Sequence, residues 1–520
     1  MLTLLPIFSL LTAAAVITLL GVLRPRFVYH WLIAVFGALV SWGSLWFLRF
    51  QLPGIFGAAE TSYLGLPIHS IFFRIDDETW PLALAVATLG LAVLLTDVGR
   101  AAGTSWIIWA GDLGLTALGI TATLAGNLAT TLMAWTLVDI IELGILLRQV
   151  RKEDLRRRIL GFFFTNLLGS MAVVAALIAS GNTEPVISLD RIPPGVEIYL
   201  ILAVGLRMGV FPLQVTFLRD QHHQRGQGTL LRLIPPAASL SLLVHVSASQ
   251  VTANGRTILI AFAVFAAVYG SIAWARAENE LRGRLFWIIA MAGITITAAL
   301  QLQQGAVIAW SLALLYSGAV LFLASVRTKP MLPIGLFSVL ALTSLPLTPT
   351  YAGIQMYNQP EFLLYLLPLV QLLLIVGFIR HMKQETEPLT GVEPWVKVVY
   401  FIGLGILPAA HFLTAFFTPQ LSQADPTPLW PLLLMVGYGV IGAVAFWRGI
   451  RIPGVVFLQL DKVFSLRWID RIIGWAGKVL EQLVAWITLL LEGDGGMLWA
   501  LVFLVMLISV LGQVSGGMGG

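Results

Sequence analysis

The sequence predicts an all-α, polytopic membrane protein with about 16 transmembrane helices (14–16), some of which are broken. The first observation is composition: of 520 residues, 58% are hydrophobic and 11% are charged, with a mean hydropathy of +0.90. The second is that apolar segments of roughly 20 residues, the length that crosses a bilayer, follow one another along the chain. The third is that charges and prolines occur inside these segments, which predicts interrupted helices at membrane depth.

The apolar segments begin at the N-terminus and continue almost to the end of the chain. The first segment is interpreted as a span because it lacks the basic start and the small-residue cleavage site of a signal peptide. The predicted spans are residues 2–23, 28–48, 80–97, 105–125, 129–147, 159–179, 197–217, 230–249, 257–275, 285–302, 306–326, 331–347, 361–379, 396–417, 428–447 and 496–513.

The basic residues between spans predict the orientation of the chain. If the N-terminus lies outside, Arg and Lys concentrate in the connections after odd-numbered spans. Examples are RQVRKEDLRRR at residues 148–158 and Arg219, Arg225 and Arg232 after the seventh span. The positive-inside rule places such connections in the cytoplasm. We therefore expect a multi-pass protein of the cell inner (plasma) membrane with its N-terminus outside, and we assign the net charge of +5 to loop topology.

The chain contains no cysteine, which excludes thiolate-ligated iron–sulfur clusters, zinc–thiolate sites and disulfides within it. It shows no nucleotide-binding glycine loop, no nucleophile elbow and no nucleic-acid-binding pattern. We therefore expect no cofactor, no metal and no catalytic centre in this chain, and no nucleic-acid partner. Any enzymatic activity is expected to belong to an assembled complex.

The stretch from residue 197 to residue 250 places Arg207 about halfway along an apolar span, five residues before Pro212. A guanidinium at membrane depth costs at least ~3 kcal/mol on insertion scales, so it should face the protein interior or water. Proline removes a backbone donor, and such breaks are tolerated where the freed groups are buried in protein or line a wet cavity. The stretch predicts an ion path with helix breaks at Pro212, Pro235 and Pro236.

Four motifs in this chain, in matching order, carry a resemblance to a known family. RMGVFPLQVTFLRD resembles the K-x-G-x-x-P-x-H-x-W-L-P-D signature of antiporter-like membrane subunits of respiratory complex I, Mrp-type antiporters and membrane-bound hydrogenases. FRIDDETWPLAL resembles the outer hairpin that leads into the third span, and ENELRGRLFWIIAMAG resembles the D-L-K-R-L-L-A-Y-S segment. SLPLTPTYAGI, with Pro346 and Pro349, resembles the later helix break, G-I-P-P-x-x-G-F. The resemblance covers roughly residues 70–360 and identifies a divergent member.

The resemblance implies a proton path that includes an acid on the fifth span, and Asp139 is the best match. Glu142 follows at i+3, so the two carboxylates share one helix face. Like charges so close in a low dielectric do not easily both ionise, and we expect at least one to titrate near neutrality, as a proton carrier must. The alternative is that these acids pair near the helix end with Arg148 or Arg151.

Arg207 stands where the family carries lysine. A lysine can lose its proton when desolvated, whereas guanidinium stays charged. Arg207 is therefore expected to set a field and to hold an acid such as Asp139 ionised. The alternative is a permanent ion pair that only locks the spans together.

Further family positions are also neutral in this chain. Gln214 and Thr216 replace the His and Trp of the signature. On the eleventh span the family pattern aligns to Leu314 and Gly318, which leaves Tyr316 and Ser317 as the polar groups. After the later break, the charged position falls on Ile354, with Gln355 beside it. A path with these neutral replacements is expected either to conduct poorly or to conduct through waters and hydroxyls, with Tyr316 and Gln355 as polar side chains along it.

The remaining candidates are histidines and a basic pair. His245 lies inside the eighth predicted span and is either a relay or a satisfied core histidine, and His411 is open to both interpretations. Arg282 and Arg284 match the family's basic segment, yet residues at a helix start also anchor simply at the interface. His222 and His223 are interpreted as part of a solvated loop rather than as metal ligands.

The chain is predicted to have five parts. Residues 1–100 form the N-terminal helices and outer hairpin, 101–360 an antiporter-like core, and 361–450 the C-terminal helices. Charged and apolar residues alternate at helical spacing in 451–495, which predicts an amphipathic lateral helix along the interface or against a neighbouring subunit. The alternative there is a surface helix without a partner. Residues 496–520 form a last span and a flexible tail.

Three functional hypotheses remain open. The first is a proton- or sodium-translocating subunit of a redox-driven, NADH:quinone oxidoreductase-like complex. The second is a bicarbonate- or CO2-uptake or stand-alone cation transporter, and the third is a structural paralogue that has lost its ion path. The expected partners are the lipid bilayer and other membrane subunits, including further antiporter-like subunits.

Overall fold

A computed structural model describes the chain with interruptions, and it divides into two compact units, residues 1–464 and 465–520. All described residues except 482 lie in the first unit. The described residues are 2–24, 27–57, 71–99, 104–149, 153–180, 188–189, 192–193, 195–211, 225–246, 253–326, 330–359, 361–384, 392–423, 428–447 and 482.

The described part of the first unit is almost entirely helical. Short 3-10 helices cover Leu2–Leu4, Arg49–Gln51, Tyr351–Tyr357 and Phe362–Leu366. The α-helices are α1 (Leu5–Leu23), α2 (His30–Leu48), α3 (Trp80–Thr96), α4 (Trp106–Thr123), α5 (Leu128–Gln149), α6 (Glu153–Ala179), α7 (Glu197–Arg207), α8 (Arg225–Val246), α9 (Ala253–Arg276), α10 (Glu280–Leu300), α11 (Gln304–Leu323), α12 (Met331–Leu340), α13 (Leu367–Met382), α14 (Pro394–Phe417), α15 (Pro419–Ser422) and α16 (Trp430–Trp447).

A single antiparallel hairpin joins α2 to α3 in the described residues. Strand β1 (Gly54–Gly57) pairs with β2 (Phe72–Ile75) in the register Gly54 to Ile75. Its second strand contains the start of the FRIDDETWPLAL motif. The hairpin therefore leads directly into α3.

The predicted fold class is confirmed. Twelve helices in the described residues are long and apolar enough to cross a membrane. Fifteen of the sixteen predicted spans contain a helix, namely α1 to α14 and α16. The sixteenth span at 496–513 and the amphipathic helix at 451–495 lie outside the described residues, so the count of sixteen stays a prediction. The predicted division into five parts also stays a prediction.

Two helices are short because the backbone leaves the helical path. Helix α7 ends at Arg207, and Gly209 follows with φ of +70°, a conformation that favours glycine. The amides of Val210 and Phe211 then donate to the Gly205 carbonyl. Pro212 lies outside the described residues. The helix has therefore ended before that proline is reached.

The second interruption follows α12, which ends at Leu340. Pro346 and Pro349 lie in the turns between this end and the 3-10 helix Tyr351–Tyr357. Ser344 and Leu347 have positive φ there, 55° and 70°. These turns are where the sequence places the later break.

The predicted breaks at Pro235 and Pro236 are wrong. Helix α8 runs without interruption through both prolines. Two adjacent prolines withhold only two backbone donors, and α8 packs against α3, α4, α5, α7, α10 and α11. Packing on all sides therefore holds the helix that its local sequence disfavours.

Helices α8 and α11 form the centre of the described unit. Their membrane-crossing segments are fully buried, and that of α3 is 89% buried. A helix that is apolar on all sides and enclosed by protein is a core helix. Polar side chains on α8 therefore face other helices and not lipid.

Helices α9 and α10 approach each other closely at glycine. A Cβ added at Gly293 would lie 2.5 Å from the carbonyl oxygen of Ala263. It would also lie 2.9 Å from the backbone nitrogen of Ala267, one turn further along α9. Backbone atoms cannot give way as a flexible side chain does. Small residues allow this kind of close helix contact in membranes.

We predict that Gly293→Ala destabilises the protein by about 1–3 kcal/mol, because the added methyl group forces α9 and α10 apart. The matched control is Gly114→Ala on α4, where an added Cβ meets no atom within 4 Å. Thermal unfolding of both variants in the same detergent measures the difference. Equal melting temperatures would contradict the close packing.

Candidate functional site

Two sequence-predicted residues, Asp139 on α5 and Arg207 at the end of α7, form a buried ion pair. Nη1 of Arg207 donates to Oδ2 of Asp139 at 2.7 Å, and Nη2 donates to Oδ1 at 2.7 Å. The side chains of Arg207 and Asp139 are 1% and 5% exposed. Two parallel charge-assisted hydrogen bonds are the strongest geometry for such a pair.

Neighbouring helices complete the surroundings of this pair. The side-chain amide of Asn166 on α6 donates to Oδ1 of Asp139 at 3.2 Å. Nε of Arg207 donates to the hydroxyl of Ser239 on α8 at 3.3 Å. The guanidinium lies 4.4 Å from the ring centroid of Trp135, whose indole donates to the Ala238 carbonyl at 3.0 Å. The pair therefore joins α5, α6, α7 and α8.

The position of Arg207 follows from the break in α7. It is the last helical residue, where a cation interacts favourably with the unpaired carbonyls of the helix end. Gly209 then turns the backbone away in the left-handed region. The broken helix thus places a fixed positive charge in the protein interior, beside an acid.

Glu142 lies beside Asp139, one helical turn further along α5. It is 2% exposed and lines the same crevice as Asp139 and Asn166, together with apolar side chains of α5 and α6. The crevice is too narrow to hold a water molecule in this conformation. Arg148, the suggested alternative partner, is exposed, and Arg151 lies outside the described residues. The two acids therefore share one buried environment.

A second charged cluster lies at the start of α8. Arg225 donates to Oε1 of Glu280 at 2.8 Å and to the carbonyl of Ala324 at 2.9 Å. Nη2 of Arg284 donates to the hydroxyl of Thr229 at 3.2 Å. Placing Arg225 and Arg232 in the connection before the eighth span was wrong, because both belong to α8 and Arg232 is 6% exposed.

The basic pair on α10 divides between the surface and the interior. Arg282 is partly exposed and pairs with Glu278 on the preceding turn. Arg284 is 3% exposed and contacts α8. The structure therefore brings Arg284 into the charged cluster, whereas Arg282 has the position of an interfacial anchor.

The remaining predicted residues lie apart from the ion pair. His245 lies inside the membrane-crossing helix α8, as expected, with its Nδ1 3.5 Å from Oε2 of Glu78. Tyr316 lies on α11 and its hydroxyl is 3.2 Å from that of Thr414. Gln355 lies in the 3-10 helix after the second break, and its side-chain oxygen is close to Gly305.

Sequence reasoning missed a pair of buried acids. Asp112 on α4 is 2% exposed and Asp97, which follows α3, is 3% exposed. The two carboxyls interact, and Asp112 also lies beside Gln227 of α8. A Cβ at Gly226 would lie 2.1 Å from Oδ2 of Asp97, so this acid packs against the first turn of α8. The signal was present, since Asp112 is the one charge in the span WIIWAGDLGLTALG.

The neutral family positions on α11 are filled by an aromatic ring. A Cβ at Gly318 would lie 2.6 Å from Nε1 of Trp287. The same indole nitrogen donates to the carbonyl of Leu314 at 3.2 Å. Ile354 is 2% exposed. The indole of Trp287 therefore occupies the space beside Gly318 that a longer side chain would need.

Metal ligation has no support in the described residues. No three His, Cys, Asp or Glu side chains among them come together in a way that could hold a metal ion. His222 and His223 lie outside the described residues. Their interpretation as loop residues stays a prediction.

Three solved structures resemble this chain over most of its length. One is a membrane-bound sulfane sulfur reductase, an archaeal respiratory membrane complex, with a TM-score of 0.68, 14% identity and coverage of 97% of this chain and 99% of that chain. Another is the Mrp complex from Dietzia sp. DQ12-45-1b, with a TM-score of 0.72 and 13% identity. That match covers 99% of this chain and 63% of the Mrp chain. This chain shares the fold of these membrane-complex chains.

The third structure is respiratory complex I from Thermus thermophilus, with a TM-score of 0.61, 16% identity and coverage of 80% of this chain and 98% of that chain. No protein-family model matches the chain, and no curated protein matches it by sequence. At identities this low, the likeness establishes the fold. The shared fold agrees with the resemblance carried by the four sequence motifs.

Proposed function

We propose that this chain is a proton- or sodium-translocating antiporter-like subunit of a redox-driven membrane complex of the NADH:quinone oxidoreductase type. The observation that carries the proposal is the buried bidentate pair between Asp139 and Arg207 beside a broken helix. Intramembrane ionisable residues are costly and mark ion paths in membrane proteins. The fold likeness to chains of two respiratory complexes and of an Mrp complex supports it.

The chemistry of the pair assigns separate roles to its two members. Guanidinium keeps its proton, so Asp139 is the member whose charge can change. A proton that reaches Asp139 through the crevice neutralises the carboxylate and removes its attraction for Arg207. The freed Nη1 has acceptors close by in the Asn166 carbonyl at 3.4 Å and the Ser170 hydroxyl at 3.5 Å. Opening and closing of the pair then couples a proton to a side-chain movement.

Glu142 extends this mechanism toward the end of α5. It lies in the same crevice, one turn from Asp139. Two carboxyls in a low dielectric favour a state in which only one is ionised, so a proton can pass between them without creating a second charge. The crevice must widen for water to deliver that proton. The proposed path is therefore gated by side chains of α5 and α6.

We predict that Asp139→Asn lowers proton uptake by proteoliposomes at least about tenfold, because an amide cannot carry the proton. The matched control is Asp77→Asn, which removes a carboxylate from the partly exposed Arg49–Asp77 pair and leaves the buried site intact. Uptake is measured after an imposed pH gradient, with equal amounts of full-length protein. Equal rates for Asp139→Asn and wild type would contradict the proposal.

The proposal includes partners and a location. The chain would sit in the cell inner membrane with its N-terminus outside and would bind further membrane subunits. Its own residues would supply ion movement only, and the redox cofactors would belong to the partners. Purifying the native complex and identifying its subunits by mass tests this. Iron–sulfur and quinone-site subunits would support it, whereas a soluble zinc protein as the sole partner would favour an uptake transporter.

One observation favours a second candidate, a structural paralogue without its own path. Trp287 fills the space beside Gly318 and binds the Leu314 carbonyl, which closes α11 at the place where the family carries ionisable residues. The flux measurement separates the two candidates. A scaffold would show the same low uptake in wild type and in Asp139→Asn.

A further inference from the structure

A buried histidine on α14 lies apart from the ion pair and has an unsatisfied ring nitrogen. His411 is 1% exposed, and its Nε2 has no hydrogen-bond partner among the described residues. Its ring stacks on Tyr316 with centroids 5.1 Å apart and planes at 28°. Leaving a buried polar atom without a partner costs ~1–3 kcal/mol, so such an atom needs an explanation.

Another histidine of the same unit shows what a satisfied core histidine looks like. His381 on α13 is 0% exposed, and its Nε2 lies 3.1 Å from the carbonyl oxygen of Trp274. Its Nδ1 lies 3.5 Å from Gln384, and the ring packs on Trp274 at 4.5 Å. Burial and aromatic packing are therefore alike in the two histidines. The unsatisfied nitrogen distinguishes His411.

Few other titratable side chains lie on the helices around His411. Helix α14 packs against α3, α11, α12 and α15. Between Trp80 and Thr96, in α11, in α12 and in α15, the sequence has no Asp, Glu, Lys, Arg or His, and Tyr316 is the one acidic hydroxyl. On α14 itself, Lys397 and Tyr400 lie about three turns or more away from His411. His411 is thus the one imidazole at this point of the described core.

Polar side chains connect His411 to the C-terminal end of α14. Thr414 and Thr418 follow at i+3 and i+7, so the three side chains share one helix face. Both threonines are 0% exposed. Thr414 contacts the hydroxyl of Tyr316, and Thr418 donates to the Thr414 carbonyl at 2.7 Å. A polar stripe therefore runs from the buried ring to the end of the helix.

Helices α11 and α15, which both pack against α14, also carry unsatisfied polar groups. The hydroxyls of Ser311 and Ser317 and the side-chain oxygen of Gln420 have no hydrogen-bond partner among the described residues. Pro408, one turn before His411, deprives α14 of a backbone donor. Opening this region to admit water breaks fewer hydrogen bonds than opening a pair of helices whose polar groups are all hydrogen-bonded.

We propose that His411 is a proton-relay residue, which continues the ion path through the interface of α3, α11 and α14. A hydronium ion that enters on one side gives a proton to the lone pair of Nε2 and is left as water. The imidazolium then gives one of its two ring protons to a water molecule on the side of Thr414 and Thr418, which leaves as hydronium, and the ring is neutral again. This inference rests on the proposed ion translocation, but it concerns residues that the Asp139–Arg207 pair does not touch.

The test compares two isosteric replacements at one position in reconstituted full-length protein. His411→Gln keeps a hydrogen-bonding side chain that cannot carry a proton, and His411→Glu has nearly the same shape but can. We expect proton uptake to fall at least about tenfold in His411→Gln and to recover most of that loss in His411→Glu. His381→Gln is the matched control and should conduct like wild type. His411→Asn and His411→Asp form a second pair if the first does not fold.

The outcomes separate this inference from the proposed function. If the role of His411 is only structural, Gln and Glu should replace it equally well. Equal flux in the two variants, whether high or low, overturns the relay. If Asp139→Asn blocks uptake while His411→Gln conducts normally, the relay fails and the proposed function stands. If wild type shows no Asp139-dependent uptake, both fail together.

Discussion

Arg207→Ala is expected to destabilise the protein by about 3–5 kcal/mol, because it leaves the Asp139 carboxylate buried without its cation. Asn166 supplies one further hydrogen bond to Asp139, at 3.2 Å, which does not replace two charge-assisted bonds. The substitution also removes the guanidinium from the face of Trp135. Unfolding of the purified variant in detergent, by heat or denaturant, measures the loss.

A double variant shows how much of this loss comes from the unpaired charge. Asp139→Asn with Arg207→Gln removes both charges, and we expect it to be more stable than Arg207→Ala alone, since nothing ionised stays buried. The matched surface pair is Arg282 with Glu278, where Arg282→Gln should cost no more than about 1 kcal/mol. If the double variant is no more stable than Arg207→Ala, the two side chains are not energetically coupled.

Gly318→Lys is expected to prevent stable folding, with a cost above about 3 kcal/mol. Its Cβ alone would lie 2.6 Å from Nε1 of Trp287, and the ammonium would be buried on a helix that carries no acid. This substitution installs the residue type that the family carries at the aligned position. The yield of monodisperse protein and its melting temperature measure the effect.

The cause of that loss is tested by adding Trp287→Ala to Gly318→Lys. Removing the indole opens the space that the lysine stem needs, so the double variant should lose less than the sum of the two single effects. Gly114→Lys, on α4 where an added Cβ meets no atom within 4 Å, controls for glycine replacement as such. Strict additivity of the two changes would show that Trp287 does not occupy the site.

The pairing of Asp139 and Arg207 was predicted from two sources. A fixed cation in an apolar span needs an anion, and the resemblance to the antiporter-like family pointed to Asp139 as the acid on the fifth span. The broken end of α7 was also predictable, since a proline follows within five residues. The actual turn at Gly209 is a local choice that glycine makes possible, before the proline is reached.

Other features depend on tertiary packing that a single sequence does not reveal. Pro235 and Pro236 disfavour a helix locally, yet six neighbouring helices hold α8 in place. Arg225 and Arg232 were predicted to lie in a loop because charged residues in a short stretch of sequence indicate a solvent-exposed connection. In the fold, Glu280 and nearby carbonyl groups accept hydrogen bonds from Arg225. Contacts between residues far apart in the chain decided these cases.

The replacement of family residues on α11 is also explained only in three dimensions. Gly318 looked like the loss of a functional group, but the indole of Trp287 from α10 fills that space. The unsatisfied nitrogen of His411 is equally invisible in sequence, where the residue is one histidine in an apolar span. His411 and His381 differ in their hydrogen bonds, which the spacing of apolar residues does not encode.

The central claim is that ion movement depends on the charges of Asp139 and Arg207, and not only on their holding helices together. The most direct measurement is proton uptake by proteoliposomes that contain the folded double variant Asp139→Asn/Arg207→Gln. We predict that this variant is monodisperse and stable, and that its uptake falls to the rate of protein-free vesicles. Uptake at the wild-type rate would contradict the claim and would leave the pair with a structural role alone.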